Sequence, residues 1–238
     1  MSQILSDAGL SADVTATTDT ARDILRHICT DWGYLRSLAD RNGHVLTVSD
    51  GKVTSAPPET DGSAALTVTL GVDMISFDAR VDAQSSLGGA QASAWDSASQ
   101  EPVQEKGKDP ATGKWGTYTP SDLADVLGAR DHLICTPREI PAADLKLVAD
   151  ARTLRTALAS IQGTCTFQGS GLAVPGVVIE LEGLGDRFSG EAYVGGVRQI
   201  IEEGAWTTEA MLGLPDSWNV DAPGFEGESA AGLAAPIH

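Results

Sequence analysis

The chain has 238 residues, enough to bury a core as one larger domain or two small ones, and its 42% hydrophobic and 21% charged content is that of an ordinary folded protein. Its 33 acidic residues against 16 basic ones give a formal charge of −17, a surface that repels nucleic-acid phosphates and anionic membranes, so neither is expected as a partner. Cys29, Cys135 and Cys165 are odd in number and show no CxxC spacing, which argues against a disulfide framework or a zinc site.

The chain opens with Met1-Ser2-Gln3-Ile4, with no basic stretch and no long apolar run after it, so no secretory signal is expected. Nowhere do about 18 uninterrupted apolar residues occur to span a bilayer. Residues 1–60 read as a small α/β unit. Thr30 or Asp31 caps a helix whose Leu35, Leu38 and Ala39 share a face with Trp32, and Gly43 ends it. A hairpin follows, with strands at 44–48 and 52–54 across Ser49-Asp50-Gly51. The breaker-rich 55–62 segment, with Pro57-Pro58 and Asp61-Gly62, marks a boundary, and a second domain is expected over 61–215.

From 64 to about 105 the pattern has period two. Ile75, Phe77, Ala79 and Val81 alternate with Ser76, Asp78, Arg80 and Asp82, which predicts a sheet wet on one side. Residues 104–119 read as a polar loop, and 121–127 as a short helix after Pro120. A long helix is predicted over 142–162 from Leu147, Ala151, Leu154, Leu158 and Ile161, with Gly163 ending it. Three antiparallel strands follow, at 177–182, 191–202 and 206–212, with Pro175-Gly176 and the 183–190 segment shaping turns. After Leu214, Pro215 and Pro223 with scattered Gly predict an extended tail over 216–238. The fold class is therefore α+β, mainly antiparallel β: a small α/β subdomain, then a curled sheet or β-barrel with one packed helix. Residues 64–105 and 161–214 are expected in one antiparallel sheet system with that helix on one side, and Trp32 and Trp206 as core anchors.

Catalytic chemistry finds little footing. His27, His44, His132 and His238 are scattered, and neither an HExxH motif nor a Cys/His cluster supplies a ligand set, so no metal residues are named. The glycines of 183–190 are followed by strand-like Glu191-Ala192-Tyr193-Val194, not by the helix N-terminus a phosphate site needs. Glu180, Glu182 and the pair Glu202-Glu203 read as a solvated rim, and Ser170 in Gly169-Ser170-Gly171 lacks the G-x-S-x-G frame of a hydrolase. No catalytic, cofactor-binding or metal site is assigned, and no cofactor is expected.

Several ordered motifs carry a family resemblance. They are Asp31-Trp32-Gly33-Tyr34-Leu35 running to Asn42-Gly43, then Asp50-Gly51-Lys52, Phe77-Asp78-Ala79, Trp95-Asp96, the helix from Ala149-Asp150-Ala151 to Gly163, and Pro175-Gly176 through Ile179-Glu180-Leu181-Glu182-Gly183-Leu184-Gly185-Asp186-Arg187-Phe188 to Trp206-Thr207-Thr208-Glu209. In this order they resemble the hub region of VgrG-type tip proteins and the related phage late-control D and baseplate hub proteins. Val177 and Gln199 depart from that pattern, where a polar turn residue and a basic or aromatic residue are usual.

The resemblance implies a non-enzymatic hub or spike component of a contractile injection system, whether phage tail-like particle, type VI-like apparatus or extracellular injector. It implies a homotrimer whose barrels form a ring joining the inner tube to the puncturing needle. Partners would be the inner tube protein, baseplate proteins, and the needle tip with its effector cargo; no membrane is involved at rest. Assembly in the bacterial cytoplasm before incorporation into the particle follows, and so does a further barrel before residue 1, with an oligonucleotide-binding-type barrel and a β-helical needle after residue 238. The rival reading is a carbohydrate-active enzyme or carbohydrate-binding module on a β-sandwich, since Trp95, Trp115 and Trp218 have no core role assigned.

Overall fold

The computed structural model describes residues 1–17, 29–60, 62–81, 89–109, 131–136 and 139–215, together with residues 116, 122, 125 and 128. His27, His238, Trp115, Trp218 and the tail over 216–238 lie outside the described residues, as does most of the helix expected over 121–127.

The first unit contains α1 (Ser2–Asp7), β1 (Ser11–Val14), α2 (Asp31–Arg41), β2 (Val45–Ser49) and β3 (Lys52–Ala56). Thr30 caps α2 as its side chain accepts from the Gly33 N–H, satisfying one of the donors that a helix start leaves open. The Asp50-Gly51 turn between β2 and β3 has φ of 49° and 75°, the left-handed pair that matches the twist of a two-residue hairpin. The unexpected element is β1, which lies parallel to β3 and makes the hairpin a three-stranded sheet. Leu5, Leu35 and Val53 form the core between this sheet and the helices. Trp32 is a correction to the sequence reading. It is 42% exposed, because the buried face of α2 is centred on Leu35, Leu38 and Ala39.

The larger sheet has six strands in the order β4 (Thr67–Thr69), β10 (Val178–Glu182), β11 (Gly190–Glu202), β12 (Ala205–Leu212), β9 (Ile161–Gln168) and β5 (Met74–Val81). It is strongly curled into a half-barrel. Its two edge strands approach one another at a single Leu70–Met74 bridge, and Phe188 of the 183–190 turn packs edge-on against Phe77 of β5, the ring centroids 5.6 Å apart. One face holds the main core, in which Cys165, Phe167, Ile179, Leu181, Ala192, Val194, Ala210 and Leu212 are all buried. Along β5 the alternation holds for Phe77, Ala79 and Val81, which are half-buried, but fails at Ile75. A bulge between Met74 and Ser76 turns Ile75 out to solvent and hands the inward place to Met74.

The remaining strands, β6 (Ala90–Asp96), β7 (Glu101–Lys106) and β8 (His132–Thr136), form a separate three-stranded sheet in the order β7-β6-β8. This corrects the expectation that 64–105 and 161–214 make one sheet system: β4 and β5 join the half-barrel, whereas β6 and β7 do not. Part of the polar loop expected from Gln104 is likewise strand.

The predicted helix is α3 (Ala142–Ala159). Leu145 and Ala149 pack against Ala92 and Ala94 of β6, while Leu158 and Leu154 meet Val178 and Tyr193, on the face of the half-barrel opposite Ile179 and Ala192, and Val45 of the first unit. The helix is thus shared by two sheets and covers the smaller one first, which the single apolar stripe through Leu147 and Ala151 did not show. Arg155 of α3 pairs with Asp40 of α2 at 2.9 Å. Gly163 does not end the helix, which stops at Ser160; it lies in β9 opposite Ala79 and Leu212, where any Cβ would overlap the Asp78 carbonyl of the neighbouring strand.

Candidate functional site

The feature that stands apart from the packed core is an arm made of the far ends of β11 and β12. The strand β11 is 13 residues long, but β10 pairs only with its first part, from Gly190 to Tyr193. The edge is continued one step by Val194, which exchanges backbone bonds with Val177 and Gly176. A bulge then follows at Gly195. Over 195–202 β11 has β12 on one side, and no strand among the described residues on the other. A row of backbone groups so placed is a template for a further strand.

Side chains define the arm's inner face. Gln199 stands opposite Thr208, and Ile201 opposite Trp206. Thr208 is fully buried, whereas Ile201 is 75% and Trp206 45% exposed, because β9 ends at Gln168 beside Thr207 and the core ends with it. Trp206 shares the inward parity of Thr208, Ala210 and Leu212 as the alternation requires, yet it is no core anchor: the strand outruns the core. Its ring lies on Gly169, where a Cβ would collide with the indole, and its Nε1 donates to the Gln199 side-chain oxygen at 2.8 Å. That same oxygen accepts from Thr208 Oγ1 at 2.7 Å, and Gln199 Nε2 donates to the Ser170 carbonyl at 3.2 Å. Gln199 therefore ties the arm to the 169–177 loop, which runs from the end of β9 to the start of β10, buries Ala173 in the core and leaves Leu172 and Val174 exposed.

The residues weighed for chemistry lie apart. His44 is buried and shares a hydrogen bond with Ser55 Oγ, and burial pushes its pKa below 6.5. Cys165 is buried, and burial with the nearby Asp73 charge pushes its thiol up to about 12, so it stays protonated at neutral pH. Cys29 and Cys135 are exposed. Ser170 is engaged by its backbone and hydroxyl in the loop, donating its N–H to Thr208 and accepting at Oγ from the Leu172 N–H. The 183–190 segment is a turn in which Gly183 and Gly185 take φ of 80° and 77°. Gly176 beside Pro175 has φ 97° and donates its N–H to the Val194 carbonyl. Glu180 lies directly opposite Glu191 across β10 and β11, and Glu182 accepts from Thr69 Oγ1 at 2.9 Å. Among the described residues no three His, Cys, Asp or Glu side chains gather as a metal group, and no helix is long and apolar enough to cross a membrane.

A sequence profile of the Alg8 N-terminal domain matches residues 1–203. The chain belongs to that family. No curated protein matches the chain. Its fold is that of solved phage tail proteins. The 43 kDa tail protein of prophage MuSo2 from Shewanella oneidensis superposes with a TM-score of 0.58 at 12% identity, over 92% of this chain and 65% of that one. The tail protein from Neisseria meningitidis MC58 gives 0.57 at 14% identity, over 88% and 63%. Prophage tail protein gp18 from Listeria monocytogenes EGD-e gives 0.50 at 12% identity, again over 88% and 63%. The chain thus spans a little under two thirds of the length of these tail proteins.

The arm was legible as a hairpin but not as a projection. Ile201, an isoleucine next to the acidic Glu202-Glu203 turn, was its one sequence signal.

Proposed function

We propose that the chain is a non-catalytic structural component of a phage-tail-like injection particle, acting as the hub that joins inner tube to needle, and that three copies associate through their sheet edges. The observation that carries this reading is the β11 edge over 195–202, which no strand among the described residues covers, on a half-barrel of the tail-protein fold, with Ile201 and Trp206 exposed beside it. An open strand edge flanked by apolar side chains supplies both the backbone directionality and the desolvation that lateral assembly needs. Inner tube protein, baseplate proteins and the needle tip with its cargo are the partners this position calls for. The order of the hub-like motifs along the chain supports the same role.

Light scattering tests it. A species of three chains is expected, and Ile201→Lys with Trp206→Lys, which places charge along the edge, shifts it to one chain without unfolding it. A wild-type chain that stays monomeric at high salt and high concentration overturns the reading. Turnover of peptidoglycan by the purified chain overturns the non-catalytic assignment.

A further inference from the structure

The sheet of β7, β6 and β8 has one face under α3, and no helix or strand among the described residues packs on the other. Because Ala92 and Ala94 face the helix, strand parity puts Gln91, Ser93 and Trp95 of β6, Pro102, Gln104 and Lys106 of β7, and Leu133 and the exposed Cys135 of β8 on the opposite face. Trp95 is 53% and Leu133 56% exposed. In a chain with 33 acidic residues, no carboxylate from the three strands stands on this side. The Lys106–Asp131 pair at one end, 2.9 Å apart, neutralises itself. Gln91 Nε2 donates to Gln104 Oε1 at 3.0 Å, which uses one hydrogen-bonding position of each amide and leaves the others available.

Charge and size select the occupant. A face with an indole, two amides, a hydroxyl and a thiol, and no unneutralised charge, complements a polyhydroxylated, uncharged ligand. Three strands about 4.8 Å apart and five to seven residues long at about 3.3 Å each make a patch of about 10 by 20 Å. That is well below the ~800 Å² each partner contributes to a stable protein pair, and it suits a few sugar rings in a row.

We propose that this face binds an uncharged polysaccharide strand. Trp95 stacks on the C–H face of one sugar ring, while Gln91, Ser93 and Gln104 exchange hydrogen bonds with hydroxyl groups of its neighbours. This inference is independent of the hub assembly, which uses a different sheet.

Co-sedimentation with insoluble chitin, cellulose, β-1,3-glucan and cross-linked dextran tests it. At least one of them is expected to pellet the wild-type chain, with little change between low and high salt because no charge is involved. Trp95→Ala is expected to lower the bound fraction about tenfold and Gln91→Ala with Gln104→Ala severalfold, while both keep the wild-type unfolding midpoint and oligomeric state. Failure to pellet with all four polysaccharides overturns the proposal, as does undiminished binding by Trp95→Ala. A loss of self-association in Trp95→Ala also overturns it, making the face a protein contact.

Discussion

Phe167 of β9 is 1% exposed and stands opposite both Met74 and Thr208, so it fills the middle of the half-barrel. Phe167→Ala is expected to cost about 3–5 kcal/mol through lost transfer energy and the cavity left behind, measured by denaturant unfolding. Trp206 belongs to another class, since it touches Gly169 and Gln199 at the edge of solvent. Trp206→Ala is expected to cost only about 1–2 kcal/mol, one hydrogen bond and half a buried ring, on the same assay. His44 makes a pH prediction. Burial lowers its folded pKa below 6.5, so the unfolded chain takes up the proton first. Its contribution to stability is fully present above 6.5 and is lost as pH falls through 6.5 toward the folded value. Thermal unfolding midpoints are expected to drop across that window, and to drop less in His44→Asn.

At the scale of elements, the α2 cap, the hairpin at Asp50-Gly51 and the three strands of the last third were legible because local signals decide them: a capping hydroxyl, a left-handed turn pair and period-two alternation. The C-terminal end of α3 and the role of Gly163 were not. An apolar residue at Ile161 continues a helical stripe and begins a strand equally well, and only the neighbouring strand's carbonyl explains why residue 163 has no side chain. Gly163→Val is accordingly expected to destabilise strongly, by more than about 3 kcal/mol, because it forces the β9–β5 and β9–β12 ladders apart; circular dichroism under denaturant reads this. The arm is an element that can loosen without disturbing the core, since its link to the rest of the fold runs through Gln199. Gln199→Ala removes the link between arm and 169–177 loop, and faster amide exchange is expected along 199–208 with little change in exchange within β10.

For the whole molecule, the charge of −17 per chain opposes association of copies whatever surface they use. Association is therefore expected to tighten as added salt shortens the reach of that repulsion, from about 10 Å at 0.1 M toward about 3 Å at 1 M, and light scattering over that range measures it. Contacts made through an open strand edge and apolar side chains survive this screening; contacts resting on ion pairs weaken. The sign of the salt effect thus distinguishes edge assembly from charge pairing.

By itself the sequence determined the α+β class, the helices over α2 and α3 and the strands of the final meander, and its motif order pointed toward phage-tail-like proteins, whose fold the chain shares. All of these rest on periodicity, turn residues and motif order, which act within a few residues or along the chain. Tertiary structure alone decided which strands share a sheet, that β6 and β7 leave the half-barrel for their own sheet with β8, and that α3 serves both. It also decided that Trp32, Trp95 and Trp206 reach solvent. Period two tells a strand that one face is apolar, but not which sheet will cover that face. Whether a tryptophan is core or surface depends on where the neighbouring strand stops.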